Sequence, residues 1–205
     1  IDLAHSKDLA CVVLMQRLKD GGIRQKEWYF IPENIALPSS GNPNNAAYQQ
    51  WVRDKALIAI PGDVIDFNVI RNLVDNIDKD TVPLDMVGVD PWNAALLITE
   101  LSHLLGKSLV RNVRQTYVNL SPTMKEFERL LYSGKWKHPG NPVTHFCFNN
   151  CGYKDDKRGN IIPVKSADYS HIDGVAATLT ALNCLMYMDN PTMLNTRKPQ
   201  VDSPA

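Results

Sequence analysis

Three aspartates fall where predicted strands end or where a predicted helix begins. Asp2 closes a first apolar segment, Asp90 follows the strand-like residues 86–89, and Asp173 precedes the last predicted helix. If the strands are neighbours, all three carboxylates reach one edge of a sheet, where ligands collect in open α/β folds. Crowded carboxylates repel each other unless a cation neutralises them, and Mg²⁺ and Mn²⁺ prefer all-oxygen sites. The predicted chemistry is phosphodiester hydrolysis by two metal ions roughly 4 Å apart.

Each acid also has a plainer structural interpretation. Pro91 suits the first position of a helix, so Asp90 could be only its N-cap. Ser170 and Asp173 have the spacing of a capping box, in which the acid only satisfies backbone donors. Asp2 lies near a chain end, where a side chain is most often merely exposed. Spacing alone leaves these alternatives open.

Other polar side chains flank the three acids. His5 and His171 could assist proton transfer, although each could equally be a surface histidine. Lys165 could contact a phosphate or balance the charge of the acids. Asp8 could support the site or be only a turn residue. These residues are secondary candidates for the same site.

The pattern of apolar residues predicts the elements that would position these side chains. Residues 9–15 form a continuous apolar run typical of a buried strand, and a glycine pair at 21–22 joins them to a second strand over 27–31. Further along, the sequence predicts a loop over 32–45, short strands over 56–60, 86–89 and 109–113, and a second hairpin over 152–164. It also predicts five helices: one over 45–55, one that begins after a cap at Asp66, one from Pro91 to Gly106, one from Ser121-Pro122 to Gly134, and one from Ser170 onwards. This alternation predicts an α/β fold, a mixed sheet with helices on both faces. We expect one domain over residues 1–189 and a tail or linker over 190–205.

Composition is that of an ordinary globular protein, but charge is unevenly distributed. Of the 205 residues, 44% are apolar and 21% charged, the formal net charge is zero, and no apolar run is long enough to span a bilayer. Residues 61–90 contain seven aspartates against two basic residues, whereas residues 103–138 contain seven basic residues against two glutamates. The acidic stretch could serve a metal and the basic stretch a phosphate, although solvated faces are the commoner outcome. The candidate DNA contacts are Arg114 and, beside Trp136, Lys135 and Lys137.

Five groups of residues, in order along the chain, carry a family resemblance. The groups are Ile1-Asp2-Leu3 with Asp8-Leu9; Val89-Asp90-Pro91-Trp92-Asn93-Ala94; Gln115 with Leu120-Ser121-Pro122 and Lys125-Glu126; His138 with Asn141-Pro142 and Asn149 or Asn150; and Lys165 with His171-Ile172-Asp173-Gly174-Val175-Ala176. They cover nearly the whole chain up to about residue 189. Together they resemble the nuclease domain of large terminase subunits from tailed bacteriophages.

The resemblance implies an RNase H-like fold and metal-dependent endonuclease activity on concatemeric double-stranded viral DNA. The matching acids are Asp2, Asp90 and Asp173, with Mg²⁺ or Mn²⁺ as cofactor. It also implies three partners: an N-terminal ATPase domain, a portal and a small terminase subunit. The implied location of the protein is the host cytoplasm. The sequence has no phosphate-binding loop of the type Gly-x-x-x-x-Gly-Lys-Ser/Thr, and residues 1–3 resemble the end of a strand. We therefore expect an excised nuclease domain that cuts DNA without translocating it.

Two other functions are compatible with the same residues. The domain could be mainly a docking module for portal, small terminase or DNA, with little activity alone. It could also be another RNase H-like enzyme, such as a resolvase or integrase, which would share the acids but prefer branched or end-specific DNA.

Overall fold

A computed structural model describes residues 1–4, 8–167 and 170–190. His5 and residues 191–205, which include nearly all of the predicted tail, lie outside the described residues. The strands are β1 (Ala10–Arg17), β2 (Ile23–Pro32), β3 (Ile58–Ile60), β4 (Val87–Val89), β5 (Val110–Asn112), β6 (Trp136–Lys137), β7 (Cys151–Asp155) and β8 (Ile161–Lys165). The α-helices are α1 (Glu33–Ala36), α2 (Asn45–Arg53), α3 (Phe67–Asn76), α4 (Ala95–Leu105), α5 (Tyr117–Tyr132), α6 (Pro142–Asn149) and α7 (Asp173–Asp189).

A mixed sheet is built around the β1–β2 hairpin. The two strands pair antiparallel from Ala10↔Phe30 to Arg17↔Ile23, which confirms the first predicted hairpin. On its other side β2 pairs in parallel with β3 near its end and with β6 near its start. β4 and β5 form a separate parallel pair. The predicted second hairpin, β7–β8, is present as its own two-stranded sheet.

Residues 1 and 2 connect the two parts of the main sheet. Asp2 and Cys11 exchange two backbone hydrogen bonds of 2.9 Å, which join this segment to β1. On the other side, the Ile1 amino group donates to the Gly88 carbonyl of β4 at 2.8 Å. The hydrogen-bonded order across the sheet is therefore β2, β1, residues 1–2, β4 and β5.

The sheet carries a hydrophobic core on each face. Successive residues of β1 point to opposite sides, so Ala10 and Val12 join one core and Cys11 joins the other. Helices α3 and α4 cover the first face, while α5, α6 and α7 cover the second. Burying each leucine of these helices stabilises the fold by about 1.5–3 kcal/mol. The predicted layering, with helices on both faces, is present.

Helix α7 lies almost entirely inside the protein and packs closely against the sheet. Twelve of its residues are buried. At Gly88 of β4, an added Cβ would lie 2.5 Å from the Cys184 Sγ of this helix. At Gly174, an added Cβ would lie 2.2 Å from the Tyr29 hydroxyl oxygen. Glycine is required at both positions because backbone and side chain approach too closely for any other residue.

Two helices begin where the sequence did not predict. We expected a helix from Pro91, but α4 begins at Ala95, because Asn93 adopts a left-handed conformation (φ 57°) that interrupts a helix. We expected Ser121-Pro122 to open the next helix, but α5 begins at Tyr117 and contains Pro122. A tertiary contact follows directly after the first turn: the Ser121 hydroxyl accepts a hydrogen bond from the Ile161 N–H of β8.

The segment predicted as a loop over 32–45 is also partly helical. It contains α1 and a 3₁₀ turn over Pro38–Ser40. Elsewhere the predicted cap is confirmed, since the Asp66 side chain accepts a hydrogen bond from the Asn68 N–H at the start of α3. None of the helices in the described ranges has the length and apolar character needed to cross a membrane.

A buried carboxylate in β2 depends on one hydroxyl group. Thr144 Oγ1 donates to Glu27 Oε1 at 2.7 Å and also lies 2.9 Å from the Tyr29 hydroxyl. The other carboxylate oxygen, Glu27 Oε2, is buried without a hydrogen-bond partner among the described residues. Glu27 therefore relies on Thr144 as its direct side-chain donor.

Replacing Thr144 by valine should lower the free energy of unfolding by about 2–3 kcal/mol, because a buried carboxylate loses its donor. Urea denaturation measures the change. The control is Thr99→Val, which removes an exposed hydroxyl bonded only to the Ala95 carbonyl and should change stability by less than about 0.5 kcal/mol. Equal effects of the two variants would contradict the assigned role of Thr144.

Candidate active site

Asp2 lies in the segment between β1 and β4 and is half-buried. Its backbone is fixed by the paired hydrogen bonds with Cys11, and its Oδ1 accepts a hydrogen bond from Gln115 Nε2 at 3.0 Å. Burial raises the pKa of Asp2 well above its ordinary value, and the nearby charge of Asp173 raises it further. This carboxylate is therefore held in a setting that disfavours its charge unless a cation is present.

Asp90 follows β4 directly, and its side chain stabilises a turn of the backbone rather than the start of α4. Its Oδ1 accepts a hydrogen bond from the Trp92 N–H at 3.3 Å, whereas α4 begins only at Ala95. The interpretation of Asp90 as the N-cap of a helix opened by Pro91 is therefore wrong. Burial raises the pKa of Asp90, although the Trp92 hydrogen bond and the charge of Arg114 act in the opposite direction.

Asp173 is the first residue of α7, and its side chain is buried. The N-cap is Ile172, and no side chain caps this helix, so the predicted capping box from Ser170 is not formed. Asp173 Oδ2 has no hydrogen-bond partner in the part of the chain that the structure describes. A buried carboxylate oxygen without a donor is costly, and such an atom requires an explanation.

The three predicted supporting residues form a charged network beside Asp173. His171 Nδ1 lies 3.0 Å from Asp8 Oδ1 and 3.6 Å from Asp173 Oδ2, and Lys165 Nζ lies 3.6 Å from Asp8 Oδ1. Burial lowers the pKa of His171, but Asp173 and Asp8 raise it more strongly, to about 9. The hydrogen bond with His171 lowers the pKa of Asp8. At neutral pH a positive imidazolium ring is therefore held between the two carboxylates.

The three acids converge at one edge of the sheet from separate parts of the chain. The charges of both Asp173 and Asp90 act on Asp2. Among the described residues, however, no three His, Cys, Asp or Glu side chains are close enough to hold one metal ion as they stand. The arrangement is a cluster of carboxylates that influence one another, in which Asp173 Oδ2 faces the His171 ring at 3.6 Å but accepts no hydrogen bond from the described residues.

Comparisons with known proteins identify the family. Residues 1–188 match the family described as the endonuclease domain of the terminase large subunit. The chain belongs to this family. Its fold matches a crystal structure of the large terminase of bacteriophage HK97, with a TM-score of 0.76 and 23% identity, over 89% of this chain and 38% of that one. The predicted RNase H-like α/β fold is confirmed.

Curated relatives place this terminase endonuclease domain within longer proteins. The chain is 30% identical over 152 residues to protein YmfN of Escherichia coli strain K12, covering 72% of this chain and 32% of YmfN. It is 24% identical over 182 residues to the terminase large subunit of Enterobacteria phage HK97, covering 86% of this chain and 35% of that protein. The chain thus spans about a third of the length of these relatives.

Most residues of the acidic and basic stretches have structural partners in the endonuclease domain. In the acidic stretch, Asp75 pairs with Lys79, and Asp78 accepts a hydrogen bond from the Leu84 N–H. In the basic stretch, Arg129 pairs with Glu126, and Arg111 stacks 3.8 Å from the ring centre of Tyr187. Of the candidates named in these stretches, Asp90 belongs to the acid cluster, and the charge of Arg114 acts on Asp90.

The structure does not bring Lys135 and Lys137 to the three acids. Lys137 of β6 lies opposite Arg24 in the strand pairing near the start of β2. Lys135 Nζ donates to the Asp20 carbonyl in the hairpin turn. The acid edge lies near the other end of β2, where Phe30 pairs with Ala10. Seven residues of strand separate the two ends by roughly 23 Å. Whether these lysines bind DNA stays a prediction, but any such contact would be remote from the acids.

Gln115 is a site residue whose contact the sequence did not reveal. The family resemblance included it, but only the structure shows its amide donating to Asp2. The signal was its place just after β5, the strand that pairs with β4, because that position reaches the same edge as Asp90. An amide side chain there can hold a carboxylate without adding charge.

An apolar groove lies elsewhere on the endonuclease domain and does not include the acids. It runs between the second half of β1 and residues 81–88, and Leu185 and Met188 of α7 close it. The groove and the acid cluster are therefore separate features of the domain.

Proposed function

We propose that this endonuclease domain hydrolyses phosphodiester bonds of double-stranded DNA, with two Mg²⁺ or Mn²⁺ ions held by Asp2, Asp90 and Asp173. The observation that carries the proposal is the convergence of these acids at one sheet edge, where a buried oxygen of Asp173 accepts no hydrogen bond from the described residues. In the whole protein the substrate would be concatemeric viral DNA. The partners would be an N-terminal ATPase domain, a portal and a small terminase subunit, in the host cytoplasm.

The donor set fits a hard divalent cation. All the proposed ligand atoms are carboxylate oxygens, which Mg²⁺ and Mn²⁺ prefer. Burial and mutual repulsion raise the pKa of Asp2, so a bound cation would relieve an electrostatic cost. Because no three of these groups lie within reach of one ion as they stand, the proposal requires side-chain movement on binding. The bound ions would activate water and stabilise the charge that develops on the phosphodiester.

Neighbouring residues would hold the acids in place. The Gln115 amide fixes one oxygen of Asp2 by donating a hydrogen bond, so the other oxygen remains available. The His171 ring, anchored by Asp8, places positive charge beside Asp173 and orients its carboxylate. Lys165 adds a second positive charge at the same Asp8 oxygen, Oδ1, that His171 contacts. These residues position the ligands, and we assign none of them as the nucleophile.

Plasmid nicking with the 205-residue chain tests the proposal. We expect cutting in Mg²⁺ or Mn²⁺, no cutting in EDTA, and recovery when excess metal is restored. Bound Mn²⁺ should also raise the melting temperature, since saturation at 100 times Kd stabilises the folded state by about 2.7 kcal/mol. A folded chain that binds no Mn²⁺ at millimolar concentration would contradict the proposal and favour a docking module.

Substrate choice separates this proposal from other RNase H-like enzymes. A packaging nuclease that grips DNA through phosphates should cut linear duplexes of many sequences. Strong preference for branched junctions or for defined ends, measured on a matched panel of oligonucleotides, would instead support a resolvase or an integrase.

A further inference from the structure

Trp92 differs from the other three tryptophans of the chain because its ring is 79% exposed. Trp28 lies under the Lys26 ammonium, 4.8 Å from the ring centre, Trp51 packs on Phe146 and Trp136 stacks on His138. Within the described ranges, Trp92 has no comparable ring or cation–π contact. A single exposed apolar residue is ordinary, so exposure alone carries no inference. Its position supplies the second observation.

The backbone fixes Trp92 beside the acid cluster. Its N–H donates to Asp90 Oδ1 at 3.3 Å, so the tryptophan and the proposed metal ligand belong to one turn. On the other side, Asn93 adopts its left-handed conformation and Ala94 is fully buried, which anchors the turn to the core. The indole is therefore attached to a fixed backbone at the rim of the site.

The rim around Trp92 combines an apolar surface with positive charge. Leu96, in the first turn of α4, is 64% exposed. Arg114 follows β5, and the Val113 N–H donates to the Val89 carbonyl at 2.9 Å, so the pairing of the two segments brings Arg114 beside Asp90. Its positive charge acts on the Asp90 carboxylate. Nucleic-acid strands offer phosphates for such a cation and base faces for an aromatic ring. This pairing of groups is therefore suited to DNA.

We propose that Trp92 stacks on a partly unstacked base next to the phosphate that is cut. The inference rests on the proposed function, because it assigns a contact to the substrate of that same site. Every base presents a π face, so stacking holds the strand without selecting a sequence. Arg114 would contact the neighbouring phosphate, while Trp92 would keep the strand from sliding past the acids.

Binding of fluorescein-labelled DNA in EDTA tests the contact without any cutting. The probes are a duplex and the same duplex with a three-base mismatch at its centre. We expect Trp92→Ala to bind the mismatched probe roughly tenfold more weakly than wild type, and Trp92→Phe to bind it nearly normally. Indole fluorescence should be quenched by unlabelled DNA in wild type and much less in Trp92→Phe. The matched control is Tyr132→Ala, because Tyr132 is 86% exposed but ends α5 beside the distant hairpin turn.

Three outcomes would overturn the proposal. Wild-type affinity in Trp92→Ala would show that the ring does not touch DNA. Wild-type affinity in Trp92→Leu would show that stacking is not required. If wild type self-associates in sedimentation and Trp92→Ala does not, the ring belongs to a protein interface. Failure of the proposed function gives a different result. In that case the wild-type chain shows no metal-dependent nicking, while Trp92→Ala still binds the mismatched probe more weakly than wild type.

Discussion

Replacing Asp2 by asparagine should abolish DNA cleavage while stabilising the metal-free domain. The amide cannot replace a carboxylate as a ligand of a hard cation, and loss of metal stabilisation worth several kcal/mol lowers the rate by roughly 10³-fold. Stability should change in the opposite direction, because burial and Asp173 both oppose a charge at Asp2. Removing that charge should raise the free energy of unfolding at pH 7 by on the order of 1 kcal/mol. The asparagine oxygen can still accept the hydrogen bond from Gln115.

The pH dependence of stability gives an independent check. The folded-state pKa of Asp2 lies above its ordinary value of 3.8, so the folded protein binds this proton more tightly than the unfolded chain does. The stability of wild type, relative to Asp2→Asn, should therefore fall as the pH rises from about 4 through the raised pKa. Urea denaturation at several pH values without metal measures this difference.

Two further variants sharpen the test. Asp90→Asn should also abolish cleavage, but with less stabilisation, since no neighbouring acid adds to the effect of burial on the pKa of Asp90, whereas Asp173 does so at Asp2. Asp85→Asn removes an exposed acid just before β4 and should leave both activity and stability unchanged. In wild type, Mn²⁺ should raise the melting temperature, and in Asp2→Asn much less. Normal nicking by Asp2→Asn or by Asp90→Asn would refute the metal-ligand assignment of that residue.

Replacing Gly174 by alanine should be among the most destabilising single-methyl changes in this domain. The new Cβ would lie 2.2 Å from the Tyr29 hydroxyl oxygen and 3.0 Å from Cε1 and Cζ of the same ring. Tyr29 is buried and its hydroxyl is bonded to Thr144, so the ring cannot swing aside freely. We expect a loss of about 2–3 kcal/mol in urea denaturation, the upper part of the range for overpacked cores.

Relief of the clash distinguishes overpacking from a general loss of helix stability. Tyr29→Phe removes the nearest oxygen, so the double variant should be more stable than the sum of the single effects predicts, by about 1 kcal/mol. Gly174 also precedes the rest of α7 and follows Asp173, so a shifted helix start should reduce nicking in the single variant. Two results would contradict the close approach of residue 174 to Tyr29. One is that the stability changes of Gly174→Ala and Tyr29→Phe are simply additive in the double variant, and the other is that Gly174→Ala is as stable as wild type.

The sequence predicted those features that depend on local pattern. Apolar periodicity located the β1–β2 hairpin and the layered α/β arrangement, and strand ends located Asp2 and Asp90. Helix starts were less predictable because they depend on competing contacts. Pro122 looked like a first helical residue, yet α5 already begins at Tyr117, and the Ser121 hydroxyl inside it accepts a hydrogen bond from the Ile161 N–H. Pro91 looked equally suitable, but the Asp90 side chain accepts a hydrogen bond from the Trp92 N–H and forms a turn there.

Charge along the sequence was a poor guide to charge in space. Arg114 and Lys137 belong to the same basic stretch, yet only Arg114 acts on Asp90, since β6 carries Lys137 to the start of β2. Asp8, Lys165 and His171 were predicted separately as possible supporting residues, and the structure joins them beside Asp173, but their role in the site stays a prediction. The Gln115 contact could not be predicted, because it depends on the pairing of β5 with β4.

The backbone bonds of residues 1 and 2 allow the assembly of the site to be measured. Two hydrogen bonds with Cys11 hold Asp2 to β1, so fraying of these bonds would release Asp2 from its fixed position in the acid cluster. Amide hydrogen exchange at Asp2 and Cys11 therefore measures how often the acid cluster is assembled, separately from global unfolding. Slow exchange at both amides would mean that the cluster exists before any DNA or metal arrives.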